Sequence, residues 1–111
     1  MKLPPESEIP SEKITAYLLV AREWDDKSKF LAQAGFMRDN PESLALALRK
    51  LAEEVDAVED RSDEYGVFFR VEGELRGPNG RGLQVVTIWL HRHMDGVMRF
   101  VTLKPRKEKK S

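Results

Sequence analysis

Residues 67–104, VFFRVEGELRGPNGRGLQVVTIWLHRHMDGVMRFVTLK, decide the fold. Apolar side chains recur there with a period near two, and Val, Phe, Thr and Trp dominate, as strands require. Gly77-Pro78-Asn79-Gly80 and Asp95-Gly96 interrupt the pattern with turn chemistry. Strands are therefore expected at 67–75, 83–92 and 97–104, with a weaker one at 57–60.

The turns predict a register. A two-residue Asp95-Gly96 hairpin pairs Met94 with Val97, and hence Trp89 with Thr102 and His91 with Phe100. A four-residue loop at 77–80 pairs Arg76 with Arg81, and hence Val71 with Val86 and Phe69 with Ile88. Both counts send Val67, Phe69, Val71, Val86, Ile88, Leu90, Val101 and Leu103 to one face, the expected core. The other face then shows Phe68, Arg70, Glu72, Thr87, Trp89, His91, Phe100, Thr102 and Lys104.

Upstream, the period lengthens to that of helices. Ser11 is a candidate N-cap for a stripe of Ile14, Tyr17, Leu18 and Ala21. A second helix fits 26–34, with Phe30, Leu31 and Ala34 on one side and Gly35 as its stop. A third starts at Asn40-Pro41-Glu42 and lines up Leu44, Leu48, Leu51 and Val55. The expected architecture is α+β: three N-terminal helices packed on a C-terminal three- to four-stranded antiparallel β-meander. Residues 1–10, with three prolines, read as an extended and poorly ordered arm; 11–104 form the single domain; 105–111 are a basic, disordered tail.

At 111 residues, 41% hydrophobic, the chain has room for one core. It lacks Cys, which removes thiolate zinc sites and thiol nucleophiles and agrees with a cytoplasmic location. No stretch approaches the roughly 18 apolar residues of a membrane span. Net charge is zero, but residues 104–111 hold five Lys or Arg and one Glu, leaving 14 cations against 18 carboxylates elsewhere. Seven of those carboxylates fall between Glu53 and Glu64, facing one Arg. An overall basic field of the kind that captures nucleic acid is absent.

The face carrying Phe68, Trp89 and Phe100 asks for a cover: the arm, the tail, a partner subunit, or a ligand. As a ligand surface its aromatics would stack bases while Arg70, Lys104 and the tail meet phosphates. His91 beside Thr87, Thr102 and Arg70 has the makings of acid–base chemistry on a phosphodiester, and a solvated strand-end histidine is the plainer alternative. His91 and His93 alternate onto one face, but only Asp95 is near enough in sequence to extend a ligand set, so no metal or cofactor is expected.

The residues Lys13-Ile14-x-x-Tyr17-Leu18-Leu19, Lys29-Phe30-x-x-x-x-Gly35-Phe36, Tyr65-Gly66, Gly77-Pro78-Asn79-Gly80, Val86-Thr87-x-Trp89 and Phe100-Val101-Thr102 resemble a family of small bacterial proteins classed as a domain of unknown function. Its helices-then-meander order is similar to the ribonuclease-toxin superfold of barnase, EndoU, the tRNA-cleaving colicins and RelE. The resemblance implies metal-independent RNA cleavage, with Lys13, Tyr17 and Lys29 contributing from helices and Thr87, His91 and Thr102 from the sheet. Phe68, Arg70, Trp89, Phe100 and Lys104 would then hold substrate, and a small antitoxin-like protein would be a partner.

Two readings of function stay open at this point. One is a ribonuclease-like toxin module acting on RNA. The other is a non-catalytic interaction domain whose aromatic sheet face binds a protein, a homodimer included.

Overall fold

The computed structural model describes residues 2–14, 18–19 and 27–106. Its order is α1 (Ser11–Lys13), α2 (Lys27–Ala32), α3 (Pro41–Glu54), β1 (Val58–Ser62), β2 (Gly66–Arg76), β3 (Gly82–Arg92) and β4 (Met98–Pro105). The four strands form one antiparallel sheet in sequence order. Among the described residues no helix is long and apolar enough to cross a membrane.

The chain is α+β, but the expected three-helix layer is not what the described residues form. Only α3 is long; α1 has three residues and α2 six. The second helix ends early because its last turn tightens: Gln33, Ala34 and Gly35 donate to the carbonyls three residues back, and Gly35 then turns to φ +90°. Of the first expected stripe, Ile14 and Leu18 are buried, while Tyr17 and Ala21 lie outside the described residues. α3 starts with Pro41 at its first position as expected, yet Asn40 makes no side-chain cap. Instead Ser43 Oγ donates to the Asn40 carbonyl at 2.8 Å.

α3 packs on β2, burying Leu44, Leu48, Leu51 and Ala52. Gly73 makes the approach close: a Cβ there would stand 3.0 Å from Leu51 Cδ1. The β2–β3 turn docks on the end of α2, where Asn79 donates from its backbone N to the Ala34 carbonyl and from Nδ2 to that of Gln33. These bonds satisfy carbonyls that a helix end leaves open.

The register differs from the expectation in both hairpins. Gly77 N donates to Arg81 O at 2.8 Å and Gly80 takes φ +87°, so the first loop has three residues, with glycine at the left-handed position. Val71 therefore pairs with Thr87 and Phe69 with Trp89. A slip of one residue turns every β3 side chain to the opposite face. In the second hairpin Arg92 N donates to Val97 O, making a four-residue loop, and a bulge between Trp89 and Ile88 shifts β4 once more. The face under the helices consequently holds Phe69, Val71, Val85, Thr87, Trp89, Met98, Phe100 and Leu103, all buried. Val86, Ile88 and Leu90, expected in the core, turn to the opposite face, where Val86 is still buried, and Val101 falls at the bulge.

The N-terminal arm is not a loose lead-in. Leu3 enters the core and Ser7 is buried with Oγ donating to Pro4 O. Glu8 exchanges backbone hydrogen bonds with Met98 and Phe100 at 2.8 Å each, covering part of the edge that β4 would otherwise leave unpaired. Lys2 Nζ donates to Glu54 O at 2.7 Å, placing a cation on the C-terminal carbonyls of α3.

Candidate functional site

Two regions of the sheet carry exposed chemistry. The first is the histidine end, where the β3–β4 loop meets the β1–β2 loop. Asp63 Oδ1 accepts from Tyr65 N and Gly66 N, which folds the β1–β2 loop back on itself. His93 N then donates to Tyr65 O at 2.9 Å, tying the two loops together. Gly66 permits the closeness, since a Cβ there would meet His91 O at 2.0 Å. His91, His93 and Tyr65 are all exposed.

Arg92, which stands between the two histidines in sequence, is held by Asp95, whose Oδ1 accepts from Nε at 3.2 Å and whose Oδ2 pairs with Nη2. The Val97 backbone N–H on Oδ1 above all, with help from Arg92, holds the Asp95 carboxyl below its ordinary value against the opposing effect of desolvation. This end thus presents two imidazoles, a phenol and an oriented guanidinium. Among the described residues no three His, Cys, Asp or Glu side chains converge as a metal site.

The second region is the sheet face turned away from α3. By register, Phe68 stands beside Leu90, Arg70 beside Ile88 and Glu72 beside Val86, with Arg99, Thr102 and Lys104 following on β4. Arg61 lies over the Phe68 ring, 4.2 Å from its centroid. Arg70 pairs with Asp60 at 3.5 Å and Glu72 at 3.8 Å.

The residues assigned from the sequence are divided among these places. Phe68, Arg70, Thr102 and Lys104 share the open face. Thr87, Trp89 and Phe100 lie in the core: Thr87 Oγ1 donates to Val71 O and accepts from Trp89 Nε1, each at 2.9 Å, and the Trp89 and Phe100 rings meet edge-on at 5.4 Å. The expected aromatic triplet is therefore split between two faces. His91 stands exposed at the strand end. Lys13 is half-buried on α1, and Tyr17 lies outside the described residues.

Lys29 is exposed on α2, lining a groove of about 280 Å³ with Phe36 and Met37. It belongs to the end of the sheet opposite His91, because α2 holds the β2–β3 turn, about 30 Å of strand away. Sequence reasoning gave Tyr65 and Arg92 no role. The Asp63-x-Tyr65-Gly66 turn signal was available for the first, and the Arg92-x-x-Asp95 spacing for the second.

No curated protein matches this sequence. Among solved structures, a chain of the contact-dependent growth inhibition toxin–immunity protein complex from Klebsiella pneumoniae 342 has a similar fold. It superposes with a TM-score of 0.68 at 20% identity, covering 88% of this chain and 98% of that one. The family model of a domain of unknown function, DUF6883, matches residues 3–107, and the chain belongs to that family.

Proposed function

We propose that this chain is a toxin-type module that cleaves RNA by metal-independent acid–base catalysis at the histidine end of the sheet. The observation that carries the reading is the pair of exposed imidazoles, His91 and His93, flanking Arg92, which Asp95 holds in place. The fold shared with a chain of a toxin–immunity protein complex supports the toxin class. On that likeness, the reading includes a small protein that restrains the activity.

Imidazole is the side chain that gives and takes protons near neutrality. One histidine takes the proton of a ribose 2′-hydroxyl as its oxygen attacks phosphorus. The other gives a proton to the departing 5′-oxygen. The P–O2′ bond forms, the P–O5′ bond breaks, and a 2′,3′-cyclic phosphate and a 5′-hydroxyl result. Arg92 offsets the charge that grows on the phosphoryl oxygens, and the Tyr65 ring supplies a stacking surface for a base.

Incubation of the purified chain with single-stranded RNA in the presence of chelator tests this. Cleavage with cyclic-phosphate ends is expected, and His91→Ala or His93→Ala should each slow it by about 10²–10⁴-fold. A parent that leaves RNA intact removes the reading. Equal rates in both variants remove the assignment to this end.

A further inference from the structure

The first edge of the sheet is only half closed. β1 pairs with β2 between Ser62↔Val67 and Val58↔Arg70, while β2 runs on to Arg76. The ladder shows which backbone groups this leaves open. His93 N donates to Tyr65 O and Gly77 N to Arg81 O, so the odd-numbered residues between Tyr65 and Gly77 face β3. The even-numbered ones face the other way: Gly66 O accepts from Asp63 N, and Arg70 lies opposite Val58. Beyond them the N–H and C=O of Glu74 and Arg76 meet no backbone partner among the described residues.

The same two residues line a groove of about 450 Å³ whose other wall is α3. Ala47, Leu51 and Val55 give that wall its apolar surface, and Ala47 and Val55 stay half-buried. We infer that the groove takes an extended segment of another protein, added to β2 as a short strand. An open row of backbone donors and acceptors calls for a strand, and a pocket beside it selects the side chains that the strand brings. A residue set beside Leu75 points, as Leu75 does, to the covered face, and so against Ala47 and Leu51. Its two neighbours point to the open face, beside Glu74 and Arg76. The segment therefore carries one apolar side chain between two that face water.

Two other occupants fit less well. The rim has Lys50 and Glu54 on α3, and Arg76 paired with Glu74 at 2.9 Å on β2, so it offers no excess charge to a polyanion. A second copy paired edge to edge would bring the two β2 strands within about 4.8 Å of each other. Each copy's α3 packs on its own β2, and packed helices need about 8–10 Å between their axes. An extended segment without a helix layer meets neither obstacle. The histidine end lies about 33 Å away along the eleven residues of β2, so the inference stands apart from the RNA-cleaving reading.

Titration of the full chain with an end-capped peptide of alternating threonine and valine tests it, with no RNA present. Binding is expected, with hydrogen exchange slowed at the Glu74 and Arg76 amides. A twin peptide methylated at its threonine nitrogens, which would face β2, should bind about tenfold more weakly. Ala47→Arg should abolish binding by filling the groove. Glu74→Pro removes one outward N–H and leaves the bonds to β3, and should also weaken binding about tenfold. Thermal melts check that both variants fold, and amide exchange in the parent decides the matter should either fail to. A parent that does not bind the peptide overturns the inference, and so does a twin that binds equally or a complex in which the two amides exchange as before. A concentration-dependent dimer that protects those amides would give the edge to a second copy, and would equally overturn it.

Discussion

The two faces of one sheet solve the same problem differently. The covered face closes around Val71, Val85, Thr87, Trp89, Phe100 and Leu103, each no more than 1% exposed, and even its hydroxyl and indole satisfy each other. On β3 the open side is as apolar as the covered one, Val86, Ile88 and Leu90 against Leu83, Val85 and Trp89, yet Ile88 and Leu90 stay half-exposed among paired charges. Apolarity alone therefore did not choose the core. The covered face took the large aromatic pair, whose burial gains most and whose polar handle found a partner.

The contrast can be broken most severely from the covered side. Trp89→Ala would empty the largest fully buried side chain and undo its contact with Phe100. A loss of about 3–5 kcal/mol is expected, read as the shift of a urea midpoint. That is a large share of the roughly 5–15 kcal/mol of a typical domain.

Thr87→Val keeps the shape but strands Trp89 Nε1 and Val71 O without their hydroxyl. It should cost about 1–3 kcal/mol in the same titration. A neutral result would show that water or a shift of the indole replaces the bond.

On the open face Ile88→Thr should cost under about 1 kcal/mol, although the residue is larger than Thr87 and apolar. Its midpoint, set beside that of Trp89→Ala, measures the difference between the faces directly. An Ile88 variant as damaging as the tryptophan one would mean that the open face is covered within the monomer.

The smallest effect belongs to Asp95. Its carboxyl titrates below the ordinary 3.8 in the folded chain, so its contribution is fully present above that value and is lost as pH falls through the lower, folded one. The Val97 amide should keep its protection from hydrogen exchange at pH 5. Protection should fade only once the carboxyl takes its proton. Loss already at pH 5 would detach the loop from this hydrogen bond.

Much of the architecture was legible locally. Period-two alternation located β2, β3 and β4 to within a residue or two, and Pro41 with the Leu44–Leu48–Leu51 spacing located α3. The short α2 was overestimated because the stop acts before Gly35, through carbonyls that the β2–β3 turn engages from far along the chain. For the candidate site, His91 was legible as a titratable residue at a strand end. Tyr65 was given no place at that end, to which the pairing of Gly66 with Arg92 and the His93–Tyr65 backbone bond bring it.

By itself the sequence determined that a helical segment precedes an antiparallel meander, because side-chain periodicity and turn residues are local properties. Which side of the meander became the core was decided by the tertiary structure. Gly77-Pro78-Asn79-Gly80 is compatible with a loop of three or of four residues, and both β3 faces are apolar enough to bury. The docking of that turn on α2 and the burial of Trp89 against Phe100 favour the three-residue loop. Those energies exist only once the layers meet.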